Sequence, residues 1–110
     1  MNFYIGSSIN EVNVEDTNVE FSDELIEFIY KLSEQNSFSM NKLYEIDPYS
    51  DVEVSKYDLP EIIKICNYIL GSSLLKNYEK EYEARKMLHN LMELSQSALG
   101  KNVGLVSIGD

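Results

Sequence analysis

The chain has little of what catalytic, metal-binding and disulfide-stabilised proteins need. Its 110 residues include one cysteine, one histidine and two prolines. A single cysteine forms no intramolecular disulfide, so Cys66 fits a reducing compartment. One cysteine and one histidine also fall short of the four nitrogen or sulfur ligands of a zinc site. We therefore expect neither a metal ion nor a cofactor.

Targeting and membrane-spanning signals are missing as well. The first ten residues, MNFYIGSSIN, contain neither a basic segment nor a long apolar core, so the sequence predicts no signal peptide. No apolar run approaches the ~20 residues that a membrane-spanning helix requires. The expected location is the cytoplasm.

Basic residues are scarce. Nine Lys and Arg face nineteen Asp and Glu, which gives a net charge of -10. Residues 1–63 hold fourteen acids and three lysines, whereas residues 64–110 hold five acids and six bases. A nucleic-acid binder would need Lys and Arg for the phosphates, and anionic membranes repel this charge. A basic protein is the natural complement, although an acidic surface also simply aids solubility.

The remaining catalytic patterns are weak, and we expect no enzyme. Cys66 and His89 are the only candidates for a nucleophile–base pair, but Cys66 falls on the apolar stripe of a predicted helix. The acidic segment 47–53 lacks the central glycine and the bidentate glutamate of an EF-hand calcium loop. A small hydrolase with an unmarked carboxylate pair is a third, open reading.

The apolar pattern predicts a single small α+β domain over residues 1–110, in the order β-α-β-β-α-α-β. The predicted strands are Asn2–Ile5, Lys42–Ile46, Val52–Val54 and Val103–Ile108. The predicted helices run from the Ser22 cap to about Gln35, from the Asp58 cap to Gly71, and from about Asn77 to Leu99, closed by Gly100. Residues 9–20 are an exposed loop or an edge strand. The terminal strands are the most apolar, so we expect them to pair at the centre of the sheet, with the helices packed on it.

Two tyrosines in acidic, turn-rich sequence suggest an interface. Tyrosine offers a large contact area with a polar tip, and a ring among carboxylates suits an arginine-rich surface. The simpler readings are a turn residue for Tyr49 and a helix staple for Tyr57. The residues predicted to bind a partner are Asp47, Tyr49, Asp51, Glu53, Tyr57 and Asp58, with a second patch at Glu15, Asp16 and Glu20.

Three segments carry a resemblance to a known class of proteins. With FYIG at 3–6, YEIDPYSD at 44–51 and GLVSIGD at 104–110, the chain is similar to small bacterial immunity proteins. These are encoded beside polymorphic toxins, including those of contact-dependent growth inhibition systems. The resemblance implies a non-catalytic inhibitor that binds one cognate toxin domain in the cytoplasm, and many such toxins are nucleases with basic surfaces.

The runner-up function is an acidic nucleic-acid mimic that inhibits a DNA- or RNA-binding protein. Such a mimic needs carboxylates spaced like phosphates over an extended face. Competition with DNA for many unrelated proteins would favour the mimic, and binding to one partner would favour immunity. The sequence leaves the oligomeric state and the identity of the partner open.

Overall fold

Four short antiparallel strands form one layer of the molecule, and four helices form the other. The computed structural model describes residues 1–109. The strands are β1 (Asn2–Ile5), β2 (Asn18–Glu20), β3 (Val52–Val54) and β4 (Leu105–Ile108). The helices are α1 (Asp23–Ser33), α2 (Asn41–Tyr44), α3 (Leu59–Leu70) and α4 (Glu81–Gly100). The predicted α+β class is confirmed.

The two ends of the chain meet in the middle of the sheet, as the sequence predicted. The strand order is β2-β1-β4-β3, and every neighbouring pair is antiparallel. Phe3 lies opposite Ser107 on one side and Val19 on the other. Because paired residues point to the same face, these three side chains look towards the helices. The edges of the sheet are therefore β2 and β3.

The core lies between the helices and this face of the sheet. Phe3 and Phe21 are fully buried and meet edge to face, with ring centroids 6.0 Å apart. The helices contribute fully buried aliphatic side chains, which include Leu25, Ile29, Ile62, Ile65, Ile69, Leu88 and Leu91. Their spacing of three and four residues is that of amphipathic helices. The predicted Ser22 cap is also present, since its Oγ accepts a hydrogen bond from the N–H of Leu25 at 3.2 Å.

The predicted strand Lys42–Ile46 is wrong, because this segment contains the one-turn helix α2. Leu43 and Ile46 are both buried, and their spacing of three is helical, whereas a strand would bury every second residue. The N–H of Tyr44 donates to the carbonyl of Met40 at 3.2 Å. No hairpin joins this segment to β3, which pairs with β4 instead. With the edge strand β2 added, the order becomes β-β-α-α-β-α-α-β.

The long helix α4 begins and ends later than predicted. It starts at Glu81 rather than near Asn77, and Gly100 is its last residue rather than the residue that closes it. Asn102 takes that role in the left-handed region, with φ of 59°. Its N–H donates to Leu99 at 2.9 Å, and the N–H of Val103 donates to Ala98 at 3.1 Å. This is a Schellman motif, which accepts Asn in place of Gly.

A 12-residue loop between β1 and β2 crosses the face of the sheet that has no helices. This face, called the open face below, carries Tyr4 and Val106, which are both buried. Gly6 lies so close to the loop that a Cβ on it would be 3.0 Å from Val12 Cγ1 and 3.8 Å from Val106. The loop includes a 3-10 turn at Ile9–Glu11. It therefore shields the centre of the open face and brings its own acidic residues there.

Candidate protein-binding surface

Carboxylates from both edge strands border the open face. Glu20 on β2 pairs with Asn2, and Glu53 on β3 pairs with Val106. Both glutamates are exposed, and the register places their side chains on the face opposite Phe3. Three strand spacings of roughly 4.8 Å separate β2 from β3, so the two carboxylates flank a face roughly 14 Å wide.

The loop across this face is held by carboxylates. Glu53 Oε2 accepts a hydrogen bond from the N–H of Ile9 at 2.8 Å, which ties the loop to β3. Glu11 Oε2 accepts from the N–H of Ser7 at 3.2 Å, and Asp16 Oδ2 accepts from the N–H of Asn13 at 2.9 Å. The loop thus gains its shape from acid-to-backbone hydrogen bonds, which are charge-assisted.

The turn at residues 47–51 uses its acids in the same way. Asp47 accepts from the N–H of Tyr49 at 2.9 Å and from the hydroxyl of Ser50 at 2.7 Å. These two bonds, the backbone one foremost, lower the pKa of Asp47. Asp51 Oδ1 accepts from the N–H of Gly109 at 3.1 Å, which joins the turn to the end of β4.

Tyr49 anchors the same turn to the start of α1. Its hydroxyl donates to Asp23 Oδ2 at 2.8 Å, and this bond is the main cause of the lowered pKa of Asp23. The side chain nevertheless stays 66% exposed. Tyr49 is therefore both a tether within the molecule and an exposed ring on its surface.

Tyr57 and Asp58 lie at the opposite end of β3 from this turn. The ring of Tyr57 is 80% exposed and has the ammonium of Lys56 5.3 Å from its centroid. It therefore does not form the predicted helix staple. Asp58 Oδ1 lies 3.3 Å from Lys42 Nζ on the helical side. A cleft of about 390 Å³ opens here, lined by Ser7, Glu53, Val54, Ser55, Lys56, Tyr57, Asn102 and Gly104.

The nine residues predicted to bind a partner therefore form separate groups rather than one patch. The turn acids and Glu20 share the end of the sheet where β1 begins, because Asn2 pairs with both Glu20 and Ile108. Glu15 and Asp16 stand beside the start of β2, and Glu53 lies between the two ends. Their role in binding remains a prediction.

Three residues that the sequence reasoning did not select belong to the same surface. Glu11 adds a carboxylate to the loop, while Ile9 is 37% exposed and Val14 is 75% exposed. In the sequence, only the weak alternation of apolar and polar residues over 9–14 indicated that these three residues lie on a surface. Apolar side chains among carboxylates are typical of protein-binding surfaces.

Most of the charge on this surface is not neutralised by Lys or Arg. Within residues 1–109, the salt bridges of Lys and Arg are Lys31–Glu27, Lys42–Asp58, Lys80–Glu24 and Arg85–Glu81, and His89 Nε2 lies beside Glu93. Asp58 is the single member of the predicted set among them. The other predicted carboxylates form no salt bridge among residues 1–109, and the hydrogen bonds that some of them accept come from neutral N–H and O–H groups.

Cys66 and His89, the candidates for a nucleophile–base pair, lie in different environments. Cys66 is fully buried on α3, and burial raises the pKa of its thiol to about 12. His89 is exposed on α4 beside Glu93. A thiol with so high a pKa forms almost no thiolate at neutral pH, so Cys66 behaves as a small apolar side chain.

Neither a metal site nor a membrane span is found in the part of the chain that the structure describes. No cluster of three or more His, Cys, Asp or Glu side chains there is arranged to hold a metal ion. No helix among these residues combines the length and the apolar character needed to cross a bilayer. Comparison of the chain with protein-family models, curated proteins and solved structures finds no significant match.

Proposed function

We propose that the chain is an immunity protein, a non-catalytic inhibitor that binds and neutralises a cognate basic toxin domain. The observation that carries the proposal is the set of exposed, unneutralised carboxylates around the open face. They are Glu11, Glu15, Asp16, Glu20, Asp51 and Glu53. A surface of this charge suits the basic, nucleic-acid-binding surface of a nuclease domain, whose active site or neighbouring surface the inhibitor would cover.

The hydrogen bonds described above support the proposal because they fix acids without neutralising them. Asp16, Asp51 and Glu53 each accept a backbone N–H, so their side chains are held in place before binding. A fixed carboxylate loses less conformational freedom when an arginine docks on it. This arrangement favours fast, electrostatically steered association, towards ~10⁸ M⁻¹s⁻¹.

The exposed apolar side chains of the loop suit the role of anchors. Val14 is 75% exposed and lies next to Glu15 and Asp16 in the chain. Binding energy at interfaces comes mostly from a few buried contacts, while surrounding charges set the specificity and the association rate. In the proposed complex Val14 becomes buried, and the carboxylates around it face arginine and lysine.

The direct test is co-expression with the C-terminal domain encoded by the neighbouring upstream gene. We expect the chain to protect cells from that domain, to co-purify with it and to bind it with a strong salt dependence. Failure to bind or protect would contradict the proposal. Displacement of DNA from many unrelated DNA-binding proteins would instead identify a nucleic-acid mimic.

A double variant that replaces two carboxylates by neutral amides tests the acidic surface itself. Glu15→Gln with Glu20→Gln removes two carboxylates whose side chains make no hydrogen bond or salt bridge within residues 1–109. The association rate should fall several-fold at low salt, and its salt dependence should become weaker. Glu61→Gln, on the exposed side of α3, is the matched control and should change neither. An equal effect of the control would rule out this surface.

A further inference from the structure

The outer edge of β2 has backbone hydrogen-bonding groups that no strand within residues 1–109 uses. Phe21 and Met1 exchange two backbone bonds, of 2.9 and 3.1 Å, so Phe21 points its N–H and C=O towards β1. Bonding direction alternates along a strand, so Val19 also bonds to β1. The N–H and C=O of Asn18 and Glu20 therefore point outwards, away from the sheet. This edge offers two residues for pairing with a further strand.

A cleft lies directly beside this edge. It measures about 460 Å³ and is bounded by the end of β2, the start of α1 and one side of α4. Met87 and Tyr78 give it an apolar wall, and the Tyr78 ring is held by Phe28 at a centroid distance of 4.5 Å. Burial, and then the charge of Glu24, raise the pKa of Tyr78, so its hydroxyl stays neutral. The polar lining is Glu20, Ser22, Glu24, Lys80, Glu83, Lys86 and Asn90.

The charges around the edge and the cleft favour a basic occupant. Glu20, Glu24 and Glu83 line the cleft together with Lys80 and Lys86, and Glu15 and Asp16 precede β2 in the chain. Lys80 already pairs with Glu24 at 3.5 Å. The remaining balance is negative, and Glu20 and Glu83 stand at the cleft without a salt bridge among residues 1–109.

We infer that the β2 edge docks an extended, basic segment of the partner as a fifth strand, with one Arg or Lys side chain in the cleft. Side chains alternate between faces, and Val19 points towards the helices. The added residue opposite Val19 points the same way, into the cleft, where its aliphatic stem lies on Met87 and its charge meets Glu83. The neighbouring added residues bond to the backbone of Asn18 and Glu20. The identity of the partner as a toxin rests on the proposed function, but the edge and the cleft do not.

A second copy of this chain is a poorer occupant of the same edge. Antiparallel pairing of β2 with β2 about a two-fold axis at Val19 would place Glu20 opposite Asn18 of the second copy, so the Glu20 carboxylates of the two copies would be diagonal neighbours on one face. Like charges across adjacent strands are destabilising, and charged residues on edge strands protect against such self-pairing. The acids at this edge thus disfavour the copy and favour a basic strand.

The probe for the test is the pentapeptide acetyl-Thr-Thr-Arg-Thr-Thr-amide, titrated into the isotopically labelled chain. We expect saturable NMR shifts at the amides of Asn18 and Glu20 and at the Met87 methyl group, with a Kd on the order of 1 mM. N-methylation of the two threonines that flank the arginine removes the donors that face the edge, and should weaken binding about tenfold. Citrulline in place of arginine removes the charge and should weaken it several-fold.

Two variants of Glu20 separate its backbone from its charge. Glu20→Pro removes the outward N–H, and proline is tolerated where a strand N–H faces solvent. It should reduce binding of the peptide about tenfold. Glu20→Thr keeps the N–H and loses the carboxylate, so its reduction should be smaller. The N-methylated peptide tests the same backbone hydrogen bonds with the unaltered chain, so the test does not depend on whether Glu20→Pro folds.

Several results would overturn the inference. They are equal binding of the N-methylated peptide, shifts confined to the Tyr57 cleft, and self-association of the chain through β2 in sedimentation. These outcomes are distinct from a failure of the proposed function. A chain that binds the peptide but no toxin keeps the edge and loses the immunity role. Toxin binding that Glu20→Pro weakens no more than Glu20→Thr does keeps the immunity role and loses the edge.

Discussion

The two halves of the chain use their charged side chains differently. In the C-terminal half, Arg85 bonds to Glu81 at 3.0 Å and to the carbonyl of Leu70 at 3.2 Å, and His89 faces Glu93. In the loops and turns of the N-terminal half, carboxylates such as Asp47 and Glu53 bond mainly to backbone N–H groups. The first arrangement neutralises charge along a helix. The second shapes loops and leaves the charge in place.

This difference gives the acidic surplus of the N-terminal half a structural origin. A short turn leaves backbone N–H groups without partners, and a carboxylate is a strong acceptor for them. Replacing such acids by neutral residues would cost loop structure, and pairing them with lysine would remove the field that attracts a basic partner. The same side chains therefore support both the local fold and the proposed binding surface.

We expect the largest difference between the two halves in the free energy of unfolding that is lost when an apolar side chain is truncated. Leu88 is fully buried on α4, so Leu88→Ala should lower the free energy of unfolding by about 2–5 kcal/mol. Val14→Ala, at a side chain that is 75% exposed, should change it by less than about 0.5 kcal/mol. Urea denaturation of both variants measures the difference. A similar loss at Val14 would mean that the loop is part of the cooperative core.

The next contrast compares two glycines of the C-terminal half. A Cβ on Gly104 would overlap the carbonyl oxygen of Val54, whereas a Cβ on Gly100 would meet nothing within 4 Å. Gly104→Ala should therefore destabilise the β3–β4 pair by about 2–3 kcal/mol. Gly100→Ala, in the last turn of α4, should be neutral or stabilising by up to about 1 kcal/mol. Thermal unfolding of the two variants checks this order, and an equal effect would contradict it.

Elements with a complete local signal were predictable from the sequence. The Ser22 cap, the apolar spacing of α1 and α3, and the apolar terminal strands each predicted what the structure contains. The segment Lys42–Ile46 was not predictable in the same way. In these five residues, Tyr44 and Ile46 fit the period of a strand, whereas Leu43 and Ile46 fit the spacing of a helix. The burial of Leu43 and Ile46 in the core is that of the helix.

The candidate surface was predictable in composition but not in layout. The sequence located the excess of acids, yet Glu20 and Glu53 lie on opposite edges because of the strand order β2-β1-β4-β3. The pairing of β1 with β4 was predicted, but that order also depends on the pairing of β2 with β1 and of β3 with β4, which no local pattern encodes. Likewise, the contact from Ile9 to Glu53 joins residues that are 44 positions apart.

Glu53→Gln tests whether a carboxylate holds the loop across the open face. The variant keeps an acceptor but loses the charge that strengthens the 2.8 Å bond from the Ile9 N–H. We expect hydrogen exchange at the Ile9 amide to speed up several-fold, with a change of less than about 1 kcal/mol in global stability. Glu61→Gln should leave the Ile9 amide unaffected. Unchanged exchange in Glu53→Gln would show that packing, and not this acid, holds the loop.

The smallest expected effect concerns the turn at 47–51 and its dependence on pH. The N–H of Tyr49 and the hydroxyl of Ser50 lower the pKa of Asp47 below its ordinary 3.8 in the folded chain. Stability from this group is therefore present above about pH 4 and is lost as the pH falls through the folded-state value. Asp47→Asn should be slightly less stable than the parent at pH 7, and the two should converge near pH 2.

Urea denaturation between pH 2 and 7, with a carboxyl NMR titration of Asp47, measures that convergence. Glu45→Gln, two residues before the turn and exposed, is the control and should follow the parent at every pH. A difference that persisted at pH 2 would mean that the side chain shapes the turn without its charge. The charge of Asp47 would then contribute to partner binding and not to the stability of the turn. Supporting the local fold and attracting a partner would be separate roles at this residue.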